Sequence, residues 1–169
     1  MAPKLPPARF VRSVLKSFMA ESGLEPRLLG PHLRVTGATD GKVNFELDIS
    51  KDHTNRLKII HGGTIASMVD LGGSLAVASK GLYATGVSTD LNVTYLSSGG
   101  KVGEKILGTA VCEKIGKTLA YTTVTFHNQK GELCARGSHT KFVTHAWNAQ
   151  KTELFTPPEG AVIAEDDVE

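Results

Sequence analysis

One run of residues limits what this chain can fold into more than any other: Thr64-Ile-Ala-Ser-Met-Val-Asp70-Leu-Gly-Gly-Ser-Leu-Ala-Val-Ala-Ser79. Its pattern predicts a helix of about 16 residues, roughly 24 Å long, that is apolar around most of its circumference. The wider apolar stretch, Ile59 to Ser79, is interrupted by His61, Asp70 and several glycines. It therefore reads as a buried core helix rather than a membrane span. A helix that is apolar on most sides needs a large cover, and the simplest is a curved sheet wrapped around it.

The flanking sequence provides strands for that sheet. An amphipathic helix is predicted over residues 8–22, with Phe10, Val11, Val14, Leu15 and Phe18 at helical spacing. Leu33-Arg-Val-Thr and Lys42-Val-Asn-Phe-Glu-Leu-Asp-Ile alternate apolar and polar residues around Asp40-Gly41, a hairpin signal. After Gly81 the period of two returns. Val87, Thr89, Leu91, Val93 and Tyr95 form one face, and Ser88, Asp90, Asn92 and Thr94 the other. Three more strands are expected at 105–114, 118–128 and 132–144. The predicted fold is α+β: helix, hairpin, long central helix, then a four-strand antiparallel meander.

At 169 residues the chain makes one domain, here placed at 1–145. Pro157-Pro158 and the surrounding acids mark 146–169 as a mobile tail. Net charge is +2, but Thr152 to Glu169 holds six acids and no Lys or Arg, so the body carries 19 basic against 11 acidic residues, a net of +8. Such a body suits an anionic small molecule, nucleic acid or an acidic membrane surface, or uses its lysines only for solubility. No DNA-binding segment stands out. Cys112 and Cys134 form no CxxC or metal-ligand spacing, which points to reduced thiols in an intracellular protein. The N-terminus has no secretory core. Lys4, Arg9, Arg12 and Lys16 with no acid before Glu21 fit either a mitochondrial address or an ordinary first helix, so cytoplasm and mitochondrion both stay open.

The chemistry concentrates around the central helix. His61-Gly62-Gly63 stands at its start, where glycines bare backbone N–H groups and the helix dipole attracts negative charge. Asp70 is the helix's one acid, and a carboxylate among apolar neighbours costs several kcal/mol unless paired. Its neighbours Ala66, Ser67, Gly73 and Ser74 are small enough to leave room for a substrate. His127, His139 and His145 lack zinc spacing, and no metal or redox cofactor is expected. No P-loop, nucleophile elbow or Rossmann glycine pattern is present.

The ordered stretches His53-Thr-Asn55, His61-Gly-Gly-Thr, Val69-Asp70, Gly86-Val-Ser88-Thr-Asp-Leu-Asn-Val-Thr-Tyr95-Leu-Ser, Gly116-Lys-Thr-Leu-Ala-Tyr and Gly137-Ser-His-Thr-Lys141 span roughly residues 10–143. Taken together they resemble the hotdog-fold acyl-CoA thioesterases, the family that includes the phenylacetate-pathway thioesterases. The resemblance implies a curved antiparallel sheet around a long helix and hydrolysis of an acyl-CoA to free acid and coenzyme A. It implies that Asn55 and the Gly62 N–H polarise the thioester carbonyl. Asp70 then acts as general base or nucleophile, Ser88 orients the water, and His61 holds the loop. A coenzyme A clamp is expected from Lys114, Gly116, Lys117 and Thr118 with Lys141, Tyr95, Ser97 and Ser98, although that basic turn also reads as a solvated hairpin. The loop Asn55-Arg-Leu-Lys-Ile-Ile departs from the family in its basic and branched residues, which leaves the acyl preference open.

Spacing adds a constraint. Gly62 and Asp70 are eight residues apart, about 12 Å along a helix. A base and a polarised carbonyl must converge through one water. A two-fold homodimer achieves this by laying Asp70 of one subunit opposite Gly62 of the other; the resemblance adds pairing of dimers into tetramers. Two other readings remain: a hotdog hydratase or dehydratase using His61 and Asp70, and a non-catalytic acyl-CoA-binding protein.

Overall fold

The computed structural model describes residues 4–163. Pro7 opens α1 (Pro7–Glu21), where its missing N–H has no helical partner to lose. Phe10, Val11, Val14 and Leu15 are buried along one stripe of α1, as their spacing predicts. After the short α2 (Leu24–Leu28), β1 (Leu33–Thr39) and β2 (Lys42–Asp48) form the expected hairpin, with Gly41 at φ 82° in its turn. A 3-10 turn at Lys51–His53 leads towards α3 (Gly62–Ala78), a single unbroken helix. Then come β3 (Val87–Tyr95), β4 (Lys105–Ile115), β5 (Leu119–His127), β6 (Leu133–Phe142) and α4 (Thr144–Ala149).

All six strands join one antiparallel sheet in the order β1-β2-β4-β5-β6-β3. The expected four-strand meander is therefore corrected to three strands, β4-β5-β6. β4 pairs with β2, and β3 lies at the far edge against β6. Strand periodicity reports which faces are buried, but it carries no information on which strand is the neighbour.

α3 packs on the concave side of the sheet. Met68, Leu71 and Leu75 meet Phe45, Leu47, Ile106, Val124 and Phe126 in one core. Gly72 allows the close approach: a Cβ there would lie 3.0 Å from the Phe45 ring. None of the helices among the described residues is long and apolar enough to cross a membrane.

Two further details differ from expectation. Ser88 pairs with Lys141 but Asp90 with Thr140, so Thr89 is a bulge residue. The extra residue reverses the alternation. Ser88 now shares the helix-facing side with Leu91, instead of lying opposite it. The segment after residue 145 is also not a loose tail as far as residue 163. Trp147 Nε1 donates to Gly116 O at 2.9 Å, and Phe155 packs edge-on against Phe10 with centroids 5.5 Å apart. Leu5 N–H donates to Phe155 O, and Thr156 is buried. Two aromatic anchors outweigh a composition dominated by proline and acids. The acids at 165–167 and 169 lie outside the described residues.

Candidate active site

The start of α3 is built around one backbone donor. His61 is the N-cap, in extended conformation, and its Nδ1 accepts the Gly63 N–H at 2.7 Å. His61 O accepts the N–H groups of Thr64 at 2.9 Å and Ile65 at 3.2 Å. Of the first-turn amides, the Gly62 N–H is the one with no acceptor among the described residues. The Tyr95 hydroxyl donates to Gly62 O at 2.6 Å, and a Cβ on Gly62 would lie 3.0 Å from the tyrosine ring. Only glycine keeps this end of the helix at that distance from Tyr95.

Asn55 lines one groove with His61, the residue before this donor. Its Oδ1 accepts the Leu57 N–H at 2.9 Å and the Ile59 N–H at 3.4 Å, which leaves the amide NH2 as the side chain's donor. His53 anchors the loop from below. It is fully buried, its Nδ1 accepts the Ser50 N–H, its Nε2 bonds Leu28 O at 2.6 Å, and its backbone oxygen accepts the His61 N–H. Burial pushes the His53 imidazole below its ordinary pKa, so the ring is neutral at pH 7.

Asp70 belongs to a second cluster, two turns along the helix. Its side chain is 51% exposed, not enclosed among apolar groups as its neighbours in sequence suggest. Asp70 Oδ1 lies 3.9 Å from His139 Nε2, and that same nitrogen is 2.8 Å from Ser88 Oγ. His139 is fully buried, and burial, reinforced by the Lys141 charge, pushes its pKa down to about 4. The ring is therefore neutral at pH 7. Lys141 is also buried, and its Nζ donates to Ser74 Oγ at 2.8 Å. Burial lowers the Lys141 pKa, against the pull of Asp70.

The small residues around Asp70 thus divide into two uses. The space at Gly73 and Ser74 is taken by His139 and Lys141; a Cβ on Gly73 would collide with His139 Nδ1 and lie 2.6 Å from Thr122 Oγ1. The space at Ala66 and Ser67 stays open, lining a pocket of about 240 Å³ with Leu24, Leu29 and Leu91 beside Asp70. Lys141, expected on the clamp with the basic turn, is instead turned inward by strand alternation, like His139 two residues earlier.

The expected clamp is divided in the same way. Tyr95, Ser97 and Ser98 sit with Gly62, lining a cleft of about 300 Å³ with Ile60 and Ile65. Lys114, Gly116, Lys117 and Thr118 form the β4–β5 turn, at the other end of strands that run for roughly 30 Å. Each chain holds two separate clusters. One contains Asn55, His61, Gly62 and Tyr95; the other contains Asp70, Ser88, His139 and Lys141. His139 went unread in the sequence because zinc spacing was the wrong question. Its signal is that His139 and Lys141 alternate with Ser138 and Thr140 and occupy the positions of β6 that face the helix.

The Thioesterase superfamily model matches residues 57–135. A Schizosaccharomyces pombe relative whose name carries only the word esterase is 44% identical over 137 residues, covering 81% of this chain and 84% of that one. Human acyl-coenzyme A thioesterase 13 is 40% identical over 132 residues, covering 78% and 92%. The crystal structure of zebrafish thioesterase superfamily member 2 superposes with a TM-score of 0.70 at 40% identity, covering 78% of this chain and 96% of that one. With the fold, the ordered motifs and relatives of this identity in agreement, the chain belongs to the thioesterase superfamily of hotdog-fold thioester hydrolases.

Proposed function

We propose that this chain hydrolyses acyl-CoA thioesters to a carboxylic acid and coenzyme A, in a site shared between the two subunits of a homodimer. The observation that carries the proposal is the separation, on one unbroken helix, of the unaccepted Gly62 N–H from Asp70. Between the two half-sites runs β3, an edge strand whose residues are exposed except for the half-buried Val93. Such an edge is a template for pairing with another strand. Antiparallel pairing with a second β3 about Leu91–Asn92 sets Ser88 of one subunit opposite Tyr95 of the other. The two strand positions are about 23 Å apart within one chain. Tyr95 holds Gly62 and Ser88 sits by Asp70, so the pairing joins complementary halves.

In that arrangement the thioester oxygen accepts from the Gly62 N–H and the Asn55 amide. One such donor is worth about 3 kcal/mol in the transition state. Asp70 of the partner subunit takes a proton from water, the water oxygen attacks the carbonyl carbon, the C–S bond breaks, and the thiolate leaves and is protonated. Ser88 holds the water, and neutral His139 holds the Ser88 hydroxyl in place. Tyr95, Ser97 and Ser98 then face the Lys114–Thr118 turn of the partner subunit across coenzyme A. These steps use no metal or redox group.

The hydratase reading has less support. His61 spends Nδ1 on the helix cap, and His139, though near Asp70, is sealed from substrate. Mixing Asn55→Ala with Asp70→Asn chains tests the shared site. A heterodimer of the two inactive variants is expected to regain one intact site per dimer, read as thiol release from acyl-CoA. Absence of any recovery in a verified heterodimer overturns the shared site. A binding protein without turnover would release no thiol even as wild type.

A further inference from the structure

The loop that departs from the family forms one wall of a groove of about 1200 Å³. Asn55 N–H donates to Ile59 O and Lys58 N–H to Asn55 O, closing the loop on itself, while Ile59 bridges to Lys101 on the neighbouring segment. The lining includes Lys51, Arg56, Lys58 and Lys101 together with Asn55 and His61, and no Asp or Glu among the described residues. None of the four cations takes part in an ion pair among the described residues. Two acids lie close by: Asp52 shares the Lys51–His53 turn, and Glu104 Oε2 accepts the Lys101 backbone N–H.

Four cations gathered in one groove with Asn55, the proposed polarising amide, favour an anionic ligand that reaches the reaction centre. Given acyl-CoA as the substrate, and resting on that reading, we infer that this groove is the phosphate subsite of the shared site. Arg56 and Lys58, with Lys51 and Lys101 across from them, take phosphate groups of coenzyme A while Asn55 holds the carbonyl. Arginine is suited to paired hydrogen bonds with phosphate and lysine to a point contact. The groove also shows Leu57 at 77% and Val102 at 51% exposure, a pattern that an anionic membrane could meet; the test separates the two.

The test compares wild type with an Arg56→Ala/Lys58→Asn double variant. Asn suits the left-handed backbone at residue 58, where φ is 61°. Affinity for free coenzyme A, measured by titration calorimetry, is expected to fall about tenfold, with a shallower dependence on salt. KM for acyl-CoA rises by the same factor and kcat is retained. The KM of an acyl-N-acetylcysteamine thioester, which has no phosphate, is expected to be the same in both proteins. Unchanged coenzyme A affinity in the folded double variant overturns the subsite, and so does a loss confined to binding of phosphatidylserine vesicles. If wild type releases no thiol from any acyl-CoA, the hydrolase reading fails on its own. If it releases thiol and the double variant binds coenzyme A as wild type does, only the subsite fails.

Discussion

The two halves of the proposed site use different physics. At the start of α3 the working group is a backbone N–H, held by an N-cap histidine, an asparagine loop and one tyrosine hydroxyl. In the middle of α3 the working group is a carboxylate, bordered by a buried neutral imidazole and a buried amine. The first half depends on geometry and has little to titrate at the reacting atoms. The second depends on charge placed against a low-dielectric interior. The proposed shared site obtains a polariser and a base without placing them side by side in any single subunit.

The contrast can be broken from the charge side with the largest effect. Asp70→Asn keeps the shape and removes the base, and thiol release is expected to fall at least about 100-fold with the circular dichroism spectrum unchanged. Near-normal turnover would remove Asp70 from the reaction. From the geometric side, Gly62→Ala pushes a methyl against the Tyr95 ring. A displacement of that kind is expected to lower kcat/KM by about tenfold or more with no change in its pH profile. A shifted pH profile in this variant would contradict the division of labour. Tyr95→Phe removes only the hydrogen bond to Gly62 O, about 1 kcal/mol, so a loss of several-fold is expected.

Stability sharpens the same comparison. Unfolded, the His139 ring takes its proton near pH 6.5; in the fold, burial first and Lys141 second delay this to about 4. Between those values the unfolded chain binds the extra proton, so stability falls as pH drops through the window, by up to about 3 kcal/mol. His53, also held neutral by burial, contributes with the same sign. The informative quantity is therefore the difference between melting temperatures of wild type and His139→Gln from pH 7 to pH 4. The variant curve is expected to be flatter; parallel curves would mean that the buried ring is not what acid attacks.

Much of this was legible from residue pattern. The apolar circumference of Thr64–Ser79 required a sheet as cover, and the eight-residue interval from Gly62 to Asp70 already kept the two from meeting in one chain. The edge position of β3 was not legible, because alternation says which face is buried and not which strand is adjacent. Nor was the role of Lys141. A lysine near a basic turn in sequence looks like a surface clamp, but strand alternation and the room left by Ser74 draw its amine inside. Thr89 is the smallest such case: one inserted residue moves Ser88 to the helix-facing side of the sheet, against His139.

The sequence by itself determined the helix, its cap, the lone acid and the distance between them, because these are local properties of spacing and side-chain chemistry. Tertiary structure alone decided that His139 and Lys141 fill the space beside Asp70, that Asp70 stays half-exposed, and that β3 is left without a second neighbour. Those outcomes depend on contacts between residues far apart in the chain. Which contacts form is settled by packing volume, such as the space at Gly72 and Gly73, and packing volume is a property of the assembled core.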